Sequence, residues 1–237
     1  MAGIRWCARC GAGASALAEP YRAAIYYVPA VSDPLWQAGC AWLGRDPETG
    51  VEMPRPAVPE LAKLSADPGR YGFHATLKAP MQLRYGFSAF LEGVSEFASR
   101  QLAFALPPLV VRNIHGFLAL CLGQDCQPMR ELAAACVTEL DGHRLVEAAE
   151  KQTARAAGRP ARQREYIFRW GYPLVLEEFR FHMTLTDKLA DNPLLPAAEQ
   201  YFALVAALPR QVNGLAVFVE DRKGAPFRLA RRLRFGP

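Results

Sequence analysis

Long apolar runs are absent from this sequence of 237 residues, because none reaches the roughly 18 residues that a membrane-spanning helix needs. An excess of one charge is also missing, since 28 Lys and Arg against 23 Asp and Glu leave a net charge of only +5. This mild positive charge favours an anionic partner such as a phosphate and does not require nucleic acid. The 51% of hydrophobic residues exclude a disordered chain, and the length predicts one large domain or two fused lobes.

Cysteine is sparse, with six in the chain, so a disulfide-stabilised fold is not expected. Two of the six form Cys7-x-x-Cys10, which lacks both the further ligands of a zinc site and the preceding strand of a redox motif. The others lie in apolar or mixed sequence, as is typical of core residues in a reducing compartment: Cys40, Cys121, Cys126 and Cys136. We therefore expect a cytoplasmic protein.

The N-terminal residues show no helical or strand period, and we predict a flexible extension over 1–20. Arg5 and Arg9 interrupt the apolar stretch that a signal peptide would need there. From Tyr21 onward the pattern is regular, so we expect a single bilobal domain over 21–237. Nothing in the sequence indicates an obligate protein partner or a membrane partner.

Hydrophobic periodicity predicts alternating strands and helices. Strands are predicted at 22–28, 73–79 and 179–186, as two strands within 109–122, and as a hairpin over 214–220 and 226–234. Helices are predicted at 34–43, 59–64, 87–103, 128–140 and 196–208, and over 143–170 with a break at 158–160. Because several strand pairs are antiparallel and helices interleave with them, the pattern indicates an α+β fold.

One short string occurs twice, about half a chain apart: Phe73-His74-Ala75-Thr76-Leu77 and Phe181-His182-Met183-Thr184-Leu185. Such a repeat is expected of two similar lobes. The chain has only four histidines, so two of them followed by threonine at the same spacing make an informative match.

Strand geometry places the polar residues of each copy on one face, since residues i and i+2 lie about 6.5–7 Å apart on the same side. In the first copy His74, Thr76 and Lys78 share a face. In the second copy Arg180 joins His182 and Thr184, and the phenylalanines of both copies face the core. If two lobes meet front to front, the two histidines converge on one cleft.

Such a cleft suits attack on a phosphodiester. Two imidazoles serve as general base and general acid near neutral pH. The hydroxyls of Thr76 and Thr184 can bind non-bridging oxygens, while Lys78 and Arg180 offset the charge that develops in the transition state. Nearby aromatic side chains can stack on a base or a ribose, and we include Tyr71 and Tyr172 among the predicted substrate-binding residues.

Other chemistries fit less well. The H-E-x-x-H, G-x-S-x-G, G-x-x-x-x-G-K-[ST] and G-x-G-x-x-G motifs are all missing, and two histidines lack the third protein ligand of a catalytic zinc. We therefore expect neither a metal nor another cofactor. The competing structural interpretation is that His74 and His182 are core histidines, each bonded to its neighbouring threonine. His115 and His143 are predicted to be surface residues.

The paired motifs resemble those of the 2H phosphoesterase superfamily, the cyclic phosphodiesterases and RNA ligase-like proteins with two His-x-Thr/Ser motifs. Their flanks resemble one branch of it, the DUF1045 or phosphonate-metabolism proteins, in Tyr71 to Pro80, in Trp170 to Pro173 and in Phe179 to Thr186. With the opening strand from Tyr21 included, the resemblance covers roughly residues 21–237.

The resemblance implies two pseudo-symmetric α+β lobes, with antiparallel sheets lining a central cleft and helices outside. It implies that His74 and His182 form the catalytic pair, that Thr76 and Thr184 bind the phosphate, and that no metal is required. The link of the branch to phosphonate breakdown implies a small phosphorylated ribose as substrate, such as a cyclic phosphate, and a nucleotide is the other candidate.

Two further functions stay open. An RNA end-processing enzyme would use the same two histidines and would need a basic, aromatic-lined groove beyond the cleft. A nucleotide- or RNA-binding module would show affinity without turnover, and therefore no bell-shaped dependence of rate on pH.

Overall fold

A seven-stranded antiparallel sheet organises the chain in the computed structural model, which describes residues 18–189 and 191–236. The strands are β1 (Arg22–Tyr27), β2 (Ala75–Met81), β3 (Phe104–Leu106), β4 (Leu109–Ile114), β5 (Phe117–Leu122), β6 (His182–Thr184), β7 (Arg210–Val212), β8 (Gly214–Glu220) and β9 (Arg228–Arg234). Their order across the large sheet is β4-β5-β6-β2-β1-β8-β9, and β3 pairs separately with β7.

Over the described residues, eight α-helices connect these strands: α1 (Pro34–Leu43), α2 (Leu61–Leu64), α3 (Ala66–Tyr71), α4 (Phe87–Ser99), α5 (Gln127–Glu139), α6 (Ala149–Ala156), α7 (Ala161–Trp170) and α8 (Leu195–Ala207). The predicted α+β class with antiparallel strands is therefore confirmed. Within the described ranges, no helix is long and apolar enough to cross a bilayer.

The two groups of strands expected as separate lobe sheets are two halves of one sheet. Strands β4, β5 and β6 form one half, and β2, β1, β8 and β9 form the other. They join in the middle, where the single register pair Ala75↔Met183 links β2 to β6. The two repeated motifs therefore lie side by side on neighbouring strands, and they do not face each other across a gap.

Helices α1 and α8 cover the apolar face of the central strands. Phe73, just before β2, is fully buried, and its ring stacks on that of Phe202 with centroids 6.5 Å apart. Trp42 of α1 is also buried and donates its indole N–H to the carbonyl of Leu185, just beyond β6, at 3.0 Å. One helix layer thus contacts the strand segments that carry both histidine motifs.

Three local features differ from the predictions for physical reasons. Strands β3 and β7 were not predicted, because three residues are too short to show a period. Helix α3 was missed because Pro68 and Gly69 are poor helix formers. Strand β6 is shorter than predicted because a 3₁₀ turn at Leu176–Glu178 ends just before it.

The predicted N-terminal extension and the Cys7-x-x-Cys10 motif fall almost entirely on residues 1–17, which lie outside the described residues. Glu19, at the described end of that stretch, contacts helix α4. Glu19 accepts hydrogen bonds from the backbone N–H of Phe87 at 3.0 and 3.1 Å, at the beginning of α4.

Gly39 of α1 is expected to tolerate no side chain, because a Cβ there would lie 2.2–2.4 Å from three ring atoms of Phe73. Replacing Gly39 by alanine should lower the free energy of unfolding by about 1–3 kcal/mol through overpacking, despite the higher helix propensity of alanine. Urea denaturation measures this change. Gly142→Ala is the control, since nothing lies within 4 Å of its Cβ position. Equal stability of the Gly39 variant and the wild type would show that Phe73 moves aside freely.

Candidate active site

The two histidines and two threonines of the repeat form a compact square on one face of the sheet. Extending the antiparallel pair Ala75↔Met183 by one residue puts His74 opposite Thr184 and Thr76 opposite His182. Directly opposed side chains have their Cβ atoms about 4.5–5.5 Å apart. The alternating residues Ala75 and Met183 are buried on the other face. The structure thus brings together the four residues that the sequence singled out.

Both imidazoles are held in the same orientation by the backbone. His74 Nδ1 lies 2.9 Å from the carbonyl oxygen of Gly72, and His182 Nδ1 lies 2.7 Å from that of Arg180. Because a carbonyl only accepts, each Nδ1 is assigned a proton, and each Nε2 is left to accept or donate one. His74 Nε2 lies 3.3 Å from the hydroxyl of Thr76. Both Nε2 atoms are therefore placed for proton transfer, and that of His74 lies beside the Thr76 hydroxyl.

Gly72 sets the orientation of the first histidine through its backbone. Its φ of +83° lies in the region that favours glycine, and a Cβ would come within 2.9 Å of Pro47. This conformation ends α3 and turns the carbonyl of Gly72 toward the ring of His74. The backbone conformation at this position therefore explains why glycine precedes Phe73 and His74, which strand alternation alone did not.

Tyr26 of β1 stacks on the imidazole of His74, with ring centroids 3.7 Å apart and planes inclined by 20°. It is paired in register with Thr76 and is only 1% exposed. Burial lowers the pKa of His74 from 6.5 to about 4, opposed by the Gly72 hydrogen bond and reinforced by the nearby His182. His74 is therefore neutral at pH 7, as a general base must be.

The lowered pKa of His74 makes a testable contribution to stability. Between pH 6.5 and pH 4 the unfolded chain binds a proton at this histidine before the folded chain does. The free energy of unfolding should therefore decrease as the pH is lowered through this window, by about 2 kcal/mol from pH 7 to pH 5. Urea titrations at both pH values should show this loss in the wild type and in His115→Gln, and a smaller loss in His74→Gln. Equal losses in all three proteins would contradict the low pKa.

A cavity of about 680 Å³ opens in front of the square. His74, Thr76 and Thr184 line it, as do the two predicted tyrosines, Tyr71 and Tyr172. Tyr71 stacks on Phe227, and its hydroxyl accepts a hydrogen bond from Arg70 at 2.7 Å. His182 lies beside the cavity, with its ring 5.8 Å from that of Phe117, which lines it.

The two predicted cations occupy different places. Lys78 lines the cavity, but it is 3% exposed, and its ammonium group donates to the Val137 carbonyl at 3.0 Å and to Asp141 at 3.1 Å. Arg180 is not among the lining residues, and its guanidinium donates to the carbonyls of Glu177 and Phe179. The parity argument does not hold for Arg180, because β6 begins only at His182.

Sequence reasoning missed several residues of the cavity, notably Tyr26, Phe117 and Arg144. Tyr26 and Phe117 face the square because β1 and β5 flank β2 and β6, and strand order was not available from the pattern. Arg144 follows the 3₁₀ turn Asp141–His143, in a stretch predicted as helix. Among residues 18–189 and 191–236, no group of three histidines, cysteines or acids could hold a metal ion, so we assign no metal ligands.

A family comparison identifies the chain. The model of the family described as "Protein of unknown function (DUF1045)" matches residues 76–228, which is more than half of the sequence. The chain belongs to the DUF1045 family. The matched range includes Thr76, His182 and Thr184, and it begins two residues after His74. The branch that the sequence motifs indicated is thereby confirmed.

Two curated relatives of this DUF1045 chain carry the name "Ribose 1,5-bisphosphate phosphokinase PhnN". The protein of Janthinobacterium sp. (strain Marseille) is 41% identical over 229 residues, which cover 90% of this chain and 51% of the relative. That of Laribacter hongkongensis (strain HLHK9) is 38% identical over 216 residues, covering 89% of this chain and 51% of the relative. The chain thus spans about half the length of these relatives.

Two solved structures are similar to the DUF1045 chain at low identity. Escherichia coli LigT complexed with phosphate is 13% identical with a TM-score of 0.46, over 93% of this chain and all of LigT. A structure titled "phosphoesterase" is 14% identical with a TM-score of 0.45, over 92% of this chain and all of its own.

Proposed function

We propose that this DUF1045 chain is a metal-independent phosphodiesterase that acts on a phosphodiester, in particular a cyclic one, of a small ribose phosphate or nucleotide. The observation that carries the proposal is the pair of histidines whose Nδ1 atoms are both bonded to backbone carbonyls. Each Nε2 is thereby oriented for proton transfer, and each histidine lies opposite a threonine hydroxyl that can donate to a phosphate oxygen. This is the arrangement that in-line attack needs.

The two histidines take different roles because their surroundings differ. The neutral His74 Nε2 removes a proton from water as the water oxygen bonds to phosphorus. In the proposed step His182 donates a proton from Nε2 to the leaving oxygen as the phosphorus–oxygen bond breaks. Thr76 and Thr184 donate to the non-bridging oxygens, where negative charge develops. Proton exchange with solvent then restores both imidazoles.

The charge of the cavity wall supports an anionic substrate. Six lysines and arginines line it against three carboxylates: Arg22, Lys78, Arg144, Lys151, Arg155 and Lys188 against Asp67, Glu147 and Asp187. Glu220 pairs with Arg22, and Asp141 pairs with Lys78 and Arg144, so the wall keeps a small excess of positive charge, which favours phosphate esters. Its aromatic lining by Tyr71 and Tyr172 suits a sugar or a base.

The relatives favour a sugar phosphate over RNA. Their name concerns ribose 1,5-bisphosphate, and we propose a related phosphorylated ribose of phosphonate metabolism as substrate for this chain. We do not extend the kinase activity to it, because the phosphate-binding G-x-x-x-x-G-K-[ST] motif is absent from its sequence. The four cysteines among the described residues are buried and free, which supports a reducing, cytoplasmic location.

Phosphorus NMR with excess EDTA tests the proposal. Purified protein is offered ribose 1,2-cyclic phosphate, ribonucleoside 2′,3′-cyclic phosphates and a short RNA with a cyclic end. Turnover of a small cyclic phosphate that survives EDTA supports the proposal, and turnover of the RNA alone would favour the end-processing enzyme. Binding without turnover of any of the three would overturn the phosphodiesterase in favour of a binding module.

A further inference from the structure

A second group of cations lies on the cavity wall beside the histidine square. Its centre is Asp141, whose carboxylate accepts from Lys78 at 3.1 Å and from two nitrogens of Arg144 at 2.7 and 2.8 Å. Although burial opposes it, the bonds from Arg144 and the nearby Lys78 lower the pKa of Asp141. One carboxylate is therefore shared by two buried cations, and the trio keeps one positive charge.

Arg144 presents an unoccupied donor to this cavity. It is 8% exposed, and its Nε and Nη2 atoms are occupied by Asp141 and by the carbonyl of Arg169 at 2.8 Å. Its Nη1 atom has no acceptor among the described residues, and it lies close to Gly171, where a Cβ would come within 3.3 Å of it. Because three hydrogen bonds fix the guanidinium, its remaining N–H groups are held ready for an anion.

Helix α6 adds two more cations to the same wall. Lys151 and Arg155 lie one turn apart, on the same face of the helix, and both line the cavity. Arg155 donates to Glu147 and, at 2.8 Å, to the carbonyl of Gly171, beside which the Arg144 guanidinium also lies. Lys151 is exposed and pairs with no carboxylate in the part of the chain that the structure describes. The group therefore contains four cations and two carboxylates, Asp141 and Glu147, which leaves two positive charges.

Lys78 connects the cation group to the histidine square, because it lies on the same strand as Thr76. Lys78 follows Thr76 by two residues on β2, where the pairing with β1 is irregular, so the two Cα atoms lie at most about 7 Å apart. That step is comparable to the span of a ribose ring between two of its phosphate esters. The cation group lines the same cavity as Thr76 and His74, so both can contact one small substrate.

We propose that Arg144, Lys151 and Arg155, backed by Lys78, bind a second phosphate of the substrate, one ribose away from the phosphodiester under attack. This assignment rests on the proposed function for the place of the first phosphate. A dianionic phosphate matches the two positive charges that the group keeps. It also compensates the burial of Lys78 and Arg144, for which Asp141 supplies only one charge. The substrate is then a ribose that is phosphorylated twice.

Calorimetry with two product-like ligands tests the second phosphate site without requiring turnover. Adenosine 2′,5′-bisphosphate is expected to bind the full chain about tenfold tighter than adenosine 2′-monophosphate, as one charge-assisted phosphate contact would give. Lys151→Ala and Arg144→Lys should each lose most of this preference, the second because lysine lacks the planar fork. Lys63→Ala, which removes an exposed lysine outside the cavity, should keep it.

The outcomes separate this site from the catalytic proposal. Equal affinity for the two ligands in the wild type overturns the second phosphate site, even if the phosphorus NMR assay shows turnover. A preference that survives in both Lys151→Ala and Arg144→Lys overturns its location. A preference that is lost in these variants and kept in His182→Ala supports the site, whether or not any cyclic phosphate is hydrolysed. Should Arg144→Lys fail to fold, the exposed Lys151 still decides the result.

Discussion

Alanine in place of His74 or His182 is expected to lower kcat/KM for the cyclic phosphate by about 10²–10⁴-fold, the usual contribution of one general acid or base. Each histidine supplies one proton-transfer step. Among the described residues, no second acid or base is hydrogen-bonded to its Nε2 atom that could supply this step instead. The double variant should be little worse than the single ones, because the two residues act in one concerted step. Initial rates by phosphorus NMR or a coupled phosphate assay measure the effect.

The control for this prediction is a third histidine of the chain. His115 is exposed in the turn between β4 and β5, and its replacement by alanine should leave kcat/KM within about twofold of the wild type. His74→Gln is measured beside His74→Ala, because glutamine removes the base without leaving the cavity that alanine would create in the core. Full activity of a folded His74 or His182 variant would instead mark the pair as core histidines.

Removing the ring of Tyr26 is expected to lower the free energy of unfolding by about 3–5 kcal/mol, as for other fully buried aromatic residues. The loss has a second consequence at the site, because the Tyr26 ring covers one face of His74 at 3.7 Å. With water admitted to that face, the pKa of His74 should rise from about 4 toward 6.5. Tyr26→Phe keeps the ring and should change neither property much.

Two measurements follow the Tyr26 variants. Urea denaturation gives the stability, with Tyr26→Leu as a milder variant in case the alanine protein does not fold. The acidic limb of kcat/KM against pH reports the pKa of the base in the free enzyme, so it should move upward in Tyr26→Leu and stay in Tyr26→Phe. An unchanged acidic limb in Tyr26→Leu would show that His74 is not the base or that Tyr26 does not set its pKa.

It was predictable from sequence that each histidine shares a strand face with its own threonine, because the alternation of side chains along a strand is a local property. Side chains two residues apart share a face whatever the strand pairs with, so His74 with Thr76 and His182 with Thr184 follow from spacing alone. The α+β class followed for the same reason, from alternating helical and strand periods. The resemblance to the DUF1045 proteins added the expectation that the two histidines share one cleft.

Parity did not extend to the flanking cations. Lys78 lines the cavity, but its ammonium group binds Asp141 and the carbonyl of Val137 in α5, both of which are distant from it in the sequence. Arg180 lies before the beginning of β6, where the backbone is no longer extended in register with β2, and its guanidinium satisfies nearby carbonyls instead. Long flexible side chains choose partners in three dimensions, and a two-residue period does not encode that choice.

The sequence by itself determined which residues carry the chemistry: two histidines, each two residues before a threonine on an apolar-backed strand. Only the tertiary structure decided that both strands are neighbours in one sheet, that Tyr26 covers His74, and that Arg144 and α6 face the same cavity. The physical reason is range. Alternation and capping act over a few residues, whereas strand order, burial of an imidazole and the meeting of distant cations depend on how the whole core packs.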